Sequence, residues 1–171
     1  MTKTATSVAG DGVSCFEGYG RRVSVCEEVI GVWHGHRQTE ANAAEAFGVL
    51  MGTTSVDRRE IWIEAVTTPM PRDRRSRYSF ALRDPGHQRA ANRRFASSEG
   101  RAIYLGTWHT HSALIPEPSD IDLNDWVNCL RANRGRPLTF VLVGTEVARV
   151  FVRTRGSFKA LQQECARDGM D

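Results

Sequence analysis

The 171 residues carry 23 basic and 20 acidic side chains, a formal charge of +3 that does not by itself call for a nucleic-acid partner. With 40% hydrophobic and 25% charged residues the chain can bury one substantial core, so a single domain over 21–171 behind a flexible polar tail at 1–20 is expected. The longest apolar runs, near Phe140 to Val143 and Glu146 to Val152, fall far short of the roughly 18 to 20 residues that cross a bilayer, and residues 1–20 lack the apolar centre of a signal peptide. No membrane partner and a cytoplasmic location are expected. Cys15, Cys26, Cys129 and Cys165, scattered without a C-x-x-C pair, read as reduced thiols.

In chain order, Arg22 to Val25 has the β-branched alternation of a strand, and Val29, Ile30 and Trp33 give Cys26 to Gln38 the spacing of an amphipathic helix. Ala46 to Met51 and Ile61 to Val66 read as a strand pair around a turn at Asp57 to Glu60. Pro69 and Pro71 open a stretch holding Arg72, Arg74, Arg75 and Arg77, read as a solvated, flexible loop. Tyr78 to Leu82 follows as a strand, and Asp84 to Ser98 as a helix with Pro85 in its first turn and Gly100 as its stop. Ala102 to His111 reads as one regular strand, with Ile103, Leu105, Thr107, His109 and His111 on one side and Tyr104, Gly106 and Trp108 on the other. Beyond Pro116 and Pro118 come a helix over Ser119 to Ala132, a hairpin of Leu138 to Val143 with Glu146 to Val152, and a final helix over Ser157 to Arg167. Adjacent strands among helices argue for an α+β or three-layer domain. Trp108 and Trp126 read as core residues.

The segment from Trp108 to Asp122, WHTHSALIPEPSDID, carries the chemistry. Side chains two apart on a strand share a face roughly 6 to 7 Å apart, so His109 and His111 can converge on one ion. His34 and His36 form the same H-x-H, but in a predicted helix, where two positions diverge by about 200°. A catalytic metal usually takes three protein ligands and leaves one position for water, and Asp122, in the first turn of the next helix, can be the third. Ser119-x-x-Asp122 also resembles a capping box, in which both residues only satisfy backbone N–H groups.

The pattern H-x-H, a Ser eight residues later and an Asp three beyond resembles the JAMM signature of the JAB/MPN metalloproteases. An upstream E-x-x-G-x-L-x-G stretch of that family is matched by EAFGVLMG, with Glu45, Gly48, Leu50 and Gly52, so the resemblance spans Val23 to Val152. It implies a three-layer fold with a curved mixed sheet flanked by helices, akin to the cytidine deaminases. It further implies Zn2+ on His109, His111 and Asp122, Glu45 as the catalytic proton carrier and Ser119 as the oxyanion donor. Only the motif singles out Glu45 among the acids. Ser112 departs from the family, where Pro is common at that position. More narrowly, Gly106-x-Trp108-His109-Thr110-His111 with Pro-x-Pro-Ser and Trp126 resembles the bacterial JAB deconjugases of CBASS-type anti-phage operons. That implies an isopeptidase or peptidase cutting the amide bond at the C-terminal tail of a conjugated protein, ubiquitin-like or of the CD-NTase type. A tail of this kind is expected to add to a strand edge beside the site. The alternatives are trimming of a sulfur-carrier protein and a non-catalytic MPN-type scaffold. Nucleic-acid binding through Arg72 to Arg77 is not expected, since no groove-reading motif accompanies it.

Overall fold

A computed structural model describes residues 13–164. The described chain runs β1 (Val13–Gly18), β2 (Arg21–Cys26), α1 (Glu27–Gly35), β3 (Phe47–Thr54), β4 (Glu60–Val66), a small hairpin of β5 (Arg74–Arg75) and β6 (Phe80–Ala81), α2 (Gly86–Ser97), β7 (Ile103–Thr110), α3 (Asp120–Ala132), β8 (Thr139–Val143), β9 (Ala148–Thr154), β10 (Ser157–Ala160) and β11 (Gln162–Gln163). Nine strands form one mixed sheet in the order β10-β9-β8-β7-β3-β4-β2-β1-β11, in which β7 with β8 and β2 with β4 are parallel. The two edge strands, β10 and β11, are separated in the chain by Leu161 alone, so the sheet must curl until its edges approach. Leu161 is buried at that seam, and its N–H donates to Val150 O at 2.8 Å.

One face of the curled sheet packs Phe16, Val25, Leu50, Ile63 and Val141 around Val29 and Trp33 of α1. The other carries α2 and α3, with Trp126 among Phe140, Leu142 and Phe151. This is the expected three-layer α+β arrangement. Among the described residues, no helix is long and apolar enough to cross a membrane.

Four local expectations are corrected. The tail expected at 1–20 gives way from Val13 onward to β1, which pairs with β2 on one side and β11 on the other. Its sequence is too polar to advertise a strand, and only Phe16 is fully buried, so pairing on both sides holds it. Residues 1–12 lie outside the described residues. Where a final helix was expected, Ser157–Ala160 is a strand that half-buries Phe158 and Ala160 at alternate positions, turned by Arg155 and Gly156 at positive φ; residues 165–167 lie outside the described part. The strand expected over Tyr78 to Leu82 shrinks to Phe80–Ala81, paired only with β5. The Arg-rich stretch it pairs with is exposed yet ordered into that hairpin.

The fourth correction bears on the site. Strand β7 is not regular, because its ladder with β3 shifts register between Leu50 and Met51, opposite Gly106. Ile103 and Leu105 belong to the core around α1, but so does Trp108, whereas Tyr104 and Thr107 face α2 and α3. The bulge therefore exchanges the two faces, and His109 emerges on the α3 side with Thr107 rather than with Leu105. Gly106 makes this possible: its φ is +126°, and a Cβ there would meet Thr139 O at 1.8 Å.

Candidate metal centre

His109 is the penultimate residue of β7, paired across the sheet with Phe47 and Leu142. His111 lies one residue past the strand, yet its N–H still donates to Val143 O at 2.9 Å, so the ladder with β8 sets its backbone. Residues 112–118 then reverse the chain. The loop is strapped to the β8–β9 turn by Thr145 N–H to Ala113 O at 2.9 Å and to the start of β9 by Arg149 Nη1 to Pro116 O at 3.1 Å. Ser119 arrives as the N-cap of α3. Trp126, four residues beyond Asp122 and so on the same side of the helix, stacks on Phe140 at 4.9 Å and fixes how α3 sits on the sheet.

The two readings of Ser119-x-x-Asp122 turn out to be one geometry. A full capping box is present, with Asp122 N–H donating to Ser119 Oγ at 3.2 Å and Ser119 N–H donating to Asp122 Oδ2 at 2.8 Å. The same carboxylate faces both histidines, with Oδ1 3.0 Å from His109 Nε2 and Oδ2 3.3 Å from His111 Nε2. The two ring nitrogens stand 3.1 Å apart. Ligands placed tetrahedrally at roughly 2.0–2.1 Å from an ion are about 3.3 Å from one another. The observed separations have that scale. A ring proton on His109 Nε2 serves one of its two neighbours well, whereas a cation at the centre is shared by all three. Among the described residues this is the one cluster of three His, Cys, Asp or Glu side chains close enough to share an ion; His34 and His36, at the end of α1, belong to none.

Electrostatics suit a cation. Burial presses His109 toward its neutral form, against the opposing pull of Asp122. Burial also works to raise the Asp122 carboxyl, but the rings of His109 and His111 overcome it and hold the group far below the usual carboxylate range.

Glu45 lies just before β3, and the pairing of Phe47 with His109 brings it alongside the histidines. It lines a cavity of about 340 Å³ together with His111, Ser119, Asp122, Tyr78 and Phe80. Glu45 is 6% exposed, and burial lifts its carboxyl to about 7, with His111 lowering it and Asp122 raising it further. All five residues singled out in the sequence thus meet at one end of β7.

Other contributors were not visible in the sequence. Phe80, from the β5–β6 hairpin, lies 4.9 Å from the His109 ring and stacks on Phe47 at 4.5 Å. Gln38 braces the segment before Glu45, donating to Ala43 O at 3.0 Å and Arg77 O at 3.1 Å while accepting the Thr110 hydroxyl at 2.9 Å. No spacing rule marks these residues, because their partners are distant in sequence. The strand that carries the histidines has no free edge, being paired with β3 and β8.

The chain is 40% identical over 111 residues to a protein of Pseudomonas aeruginosa named CD-NTase/cGAS isopeptidase, covering 64% of this chain and 68% of that one. It is 29% identical over 148 residues to a protein of the same name from Escherichia coli, covering 85% and 91%. A solution structure from Desulfitobacterium hafniense shares the fold, with a TM-score of 0.55 and 22% identity over 81% of this chain and 88% of that one. The family model of prokaryotic homologs of the JAB domain matches residues 36–155, from the end of α1 through β9, and the chain belongs to that family.

Proposed function

We propose that the protein is a zinc-dependent isopeptidase that hydrolyses the amide bond joining the C-terminal tail of a CD-NTase-type or ubiquitin-like protein to its conjugate, as part of a bacterial anti-phage system. The observation that carries the reading is the convergence of His109, His111 and Asp122 beside a buried Glu45, in a chain whose relatives are named CD-NTase/cGAS isopeptidase.

The donor set of two imidazoles and a carboxylate is that of hydrolytic zinc sites, and zinc held by it supplies Lewis acidity toward water and the amide carbonyl. The remaining work falls to the chain. Glu45, a stronger base than a solvated carboxylate because burial disfavours its charge, takes a proton from the attacking water and returns it to the leaving amine. The Ser119 oxygen accepts from Asp122 N–H, which leaves its own proton free to point into the cavity at the developing oxyanion. Phe80, backed by Phe47, packs against the His109 ring. The scaffold alternative has no support, since no member of the set is missing.

The test uses a conjugate of a CD-NTase-type protein through its C-terminal tail. Wild-type protein is expected to cleave it, a chelator to stop cleavage and zinc to restore it. Glu45→Gln is expected to keep bound zinc and lose cleavage. Cleavage that survives complete metal removal refutes the assignment.

A further inference from the structure

The catalytic Glu45 of the proposed reaction does not sit on a strand: the next residue, Ala46, exchanges two 2.9 Å bonds with Thr110 between the two histidines, and Glu45 itself is held by the β5–β6 hairpin. Its N–H donates to Ser76 O at 2.7 Å, at the tip of the β5–β6 hairpin, and Arg75 of the same hairpin donates to Ala44 O at 3.1 Å. The hairpin pairs over only two residues per strand. Its tip is tied by Gln38 to Arg77 O and by Phe80 on Phe47, and its base supplies the rest of its rigidity.

The base is organised by a buried chain of side chains. The Asp73 carboxylate accepts from Met70 N–H at 2.8 Å, Arg83 N–H at 2.8 Å and Asp84 N–H at 2.9 Å, thereby joining the two ends of the hairpin. It also accepts from His87 Nε2 at 2.7 Å; these two side chains are 1% and 4% exposed. The other ring nitrogen, His87 Nδ1, lies 2.6 Å from Thr67 Oγ1. Thr67 is itself clamped to the rigid sheet: its Oγ1 accepts from Val49 N–H at 2.9 Å and its carbonyl accepts from the Trp108 indole at 2.9 Å. That approach is so close that a Cβ at Gly48 would meet Thr67 O at 1.8 Å, which explains the glycine three residues after Glu45.

The connectivity Thr67–His87–Asp73 has the order of a nucleophile triad, but the Thr67 oxygen is enclosed between Val49 N–H and the imidazole, and the residue is 5% exposed. It is not placed to attack a substrate. What the chain of bonds does is transmit position, from strands β3 and β7, through His87, to the base of a hairpin whose tip holds Glu45. A buried carboxylate with four donors is costly to disturb, because any donor lost leaves charge uncompensated.

We propose that His87 and Asp73 are positioning residues for Glu45, acting through the hairpin. The proposal rests on the reading of Glu45 as the catalytic proton carrier, so the test includes one measurement that does not depend on activity. In zinc-loaded His87→Ala, amide exchange at Glu45 is expected to speed up by about tenfold or more while Val141 and Leu142 keep their protection. In the same variant, kcat on the conjugate should fall by about tenfold with one zinc per chain retained. His87→Gln, which keeps volume and an N–H donor for Asp73, should recover most of both. If His87→Ala does not fold, the near-isosteric Asp73→Asn replaces it with the same expectations. Unchanged protection at Glu45 in a folded variant overturns the proposal, as does unchanged kcat with wild-type protein active. If wild-type protein cleaves nothing, the functional reading fails and the positioning proposal is judged on the Glu45 amide alone.

Discussion

Ser119→Ala separates two roles that the structure superimposes on one side chain. As N-cap, Ser119 Oγ accepts a single bond from Asp122 N–H, and at 3.2 Å it is the longer half of the box. Its loss is expected to cost about 1 kcal/mol, which for a domain of this size lowers Tm by about 2–4 °C. The shorter half, Ser119 N–H to Asp122 Oδ2 at 2.8 Å, is made by the backbone and survives, so Asp122 stays aimed at the histidines and metal content should not change. An oxyanion donor removed from such a site typically costs about 10²- to 10³-fold in kcat. A thermal melt, metal analysis and steady-state cleavage on one preparation read the three quantities separately. A variant with lowered Tm, full metal and wild-type kcat would reduce Ser119 to a helix cap. A variant that loses metal would mean that the hydroxyl orients Asp122 after all.

His109→Ala removes the most buried ligand, and bound zinc and cleavage should disappear together; unchanged metal content would break the ligand assignment. Gly106→Ala drives a methyl against Thr139 O at a φ that L-residues avoid, and it is expected to destabilise the fold by about 2–4 kcal/mol in chemical denaturation. A cost under about 1 kcal/mol would mean that the bulge tolerates a side chain. Acid should expose Asp73. Burial acts to raise its carboxyl, but bonds from Asp84 N–H, His87, Met70 N–H and Arg83 N–H outweigh that and hold it below its ordinary value. A depressed carboxyl contributes stability that is complete above its unfolded pKa, about 3.9, and lost as pH falls through the folded value. The stability of wild-type protein should therefore fall more steeply than that of Asp73→Asn below about pH 4, and parallel curves would contradict this.

How much of the site was legible depends on how local its causes are. His109, His111 and Asp122 follow from a strand period, a proline-marked reversal and a helix start, all within one short segment. Glu45 was readable only by its motif, because its place is fixed by pairing between β3 and β7, more than fifty residues apart in the chain. The bulge at Gly106 was missed although a glycine inside a strand pattern is its signal. Without it Thr107 and His109 would have shared the face of Leu105. The C-terminal strands read as a helix because two short pairings leave little alternation to detect. Asp73, His87 and Thr67 carried no signal, since a hydrogen-bonded chain across separate elements has no period.

Joining the sheet's outermost strands through Leu161 has a consequence for how the polypeptide is made. β10 completes one border and β11 the other, and both lie within the last residues that the structure describes. A ribosome that has released everything up to β9 has exposed a sheet whose two borders are both still open. Closure waits on the emergence of Gln163, so the final barrier to the closed sheet is expected to be crossed only after every strand from β1 to β11 has left the exit tunnel.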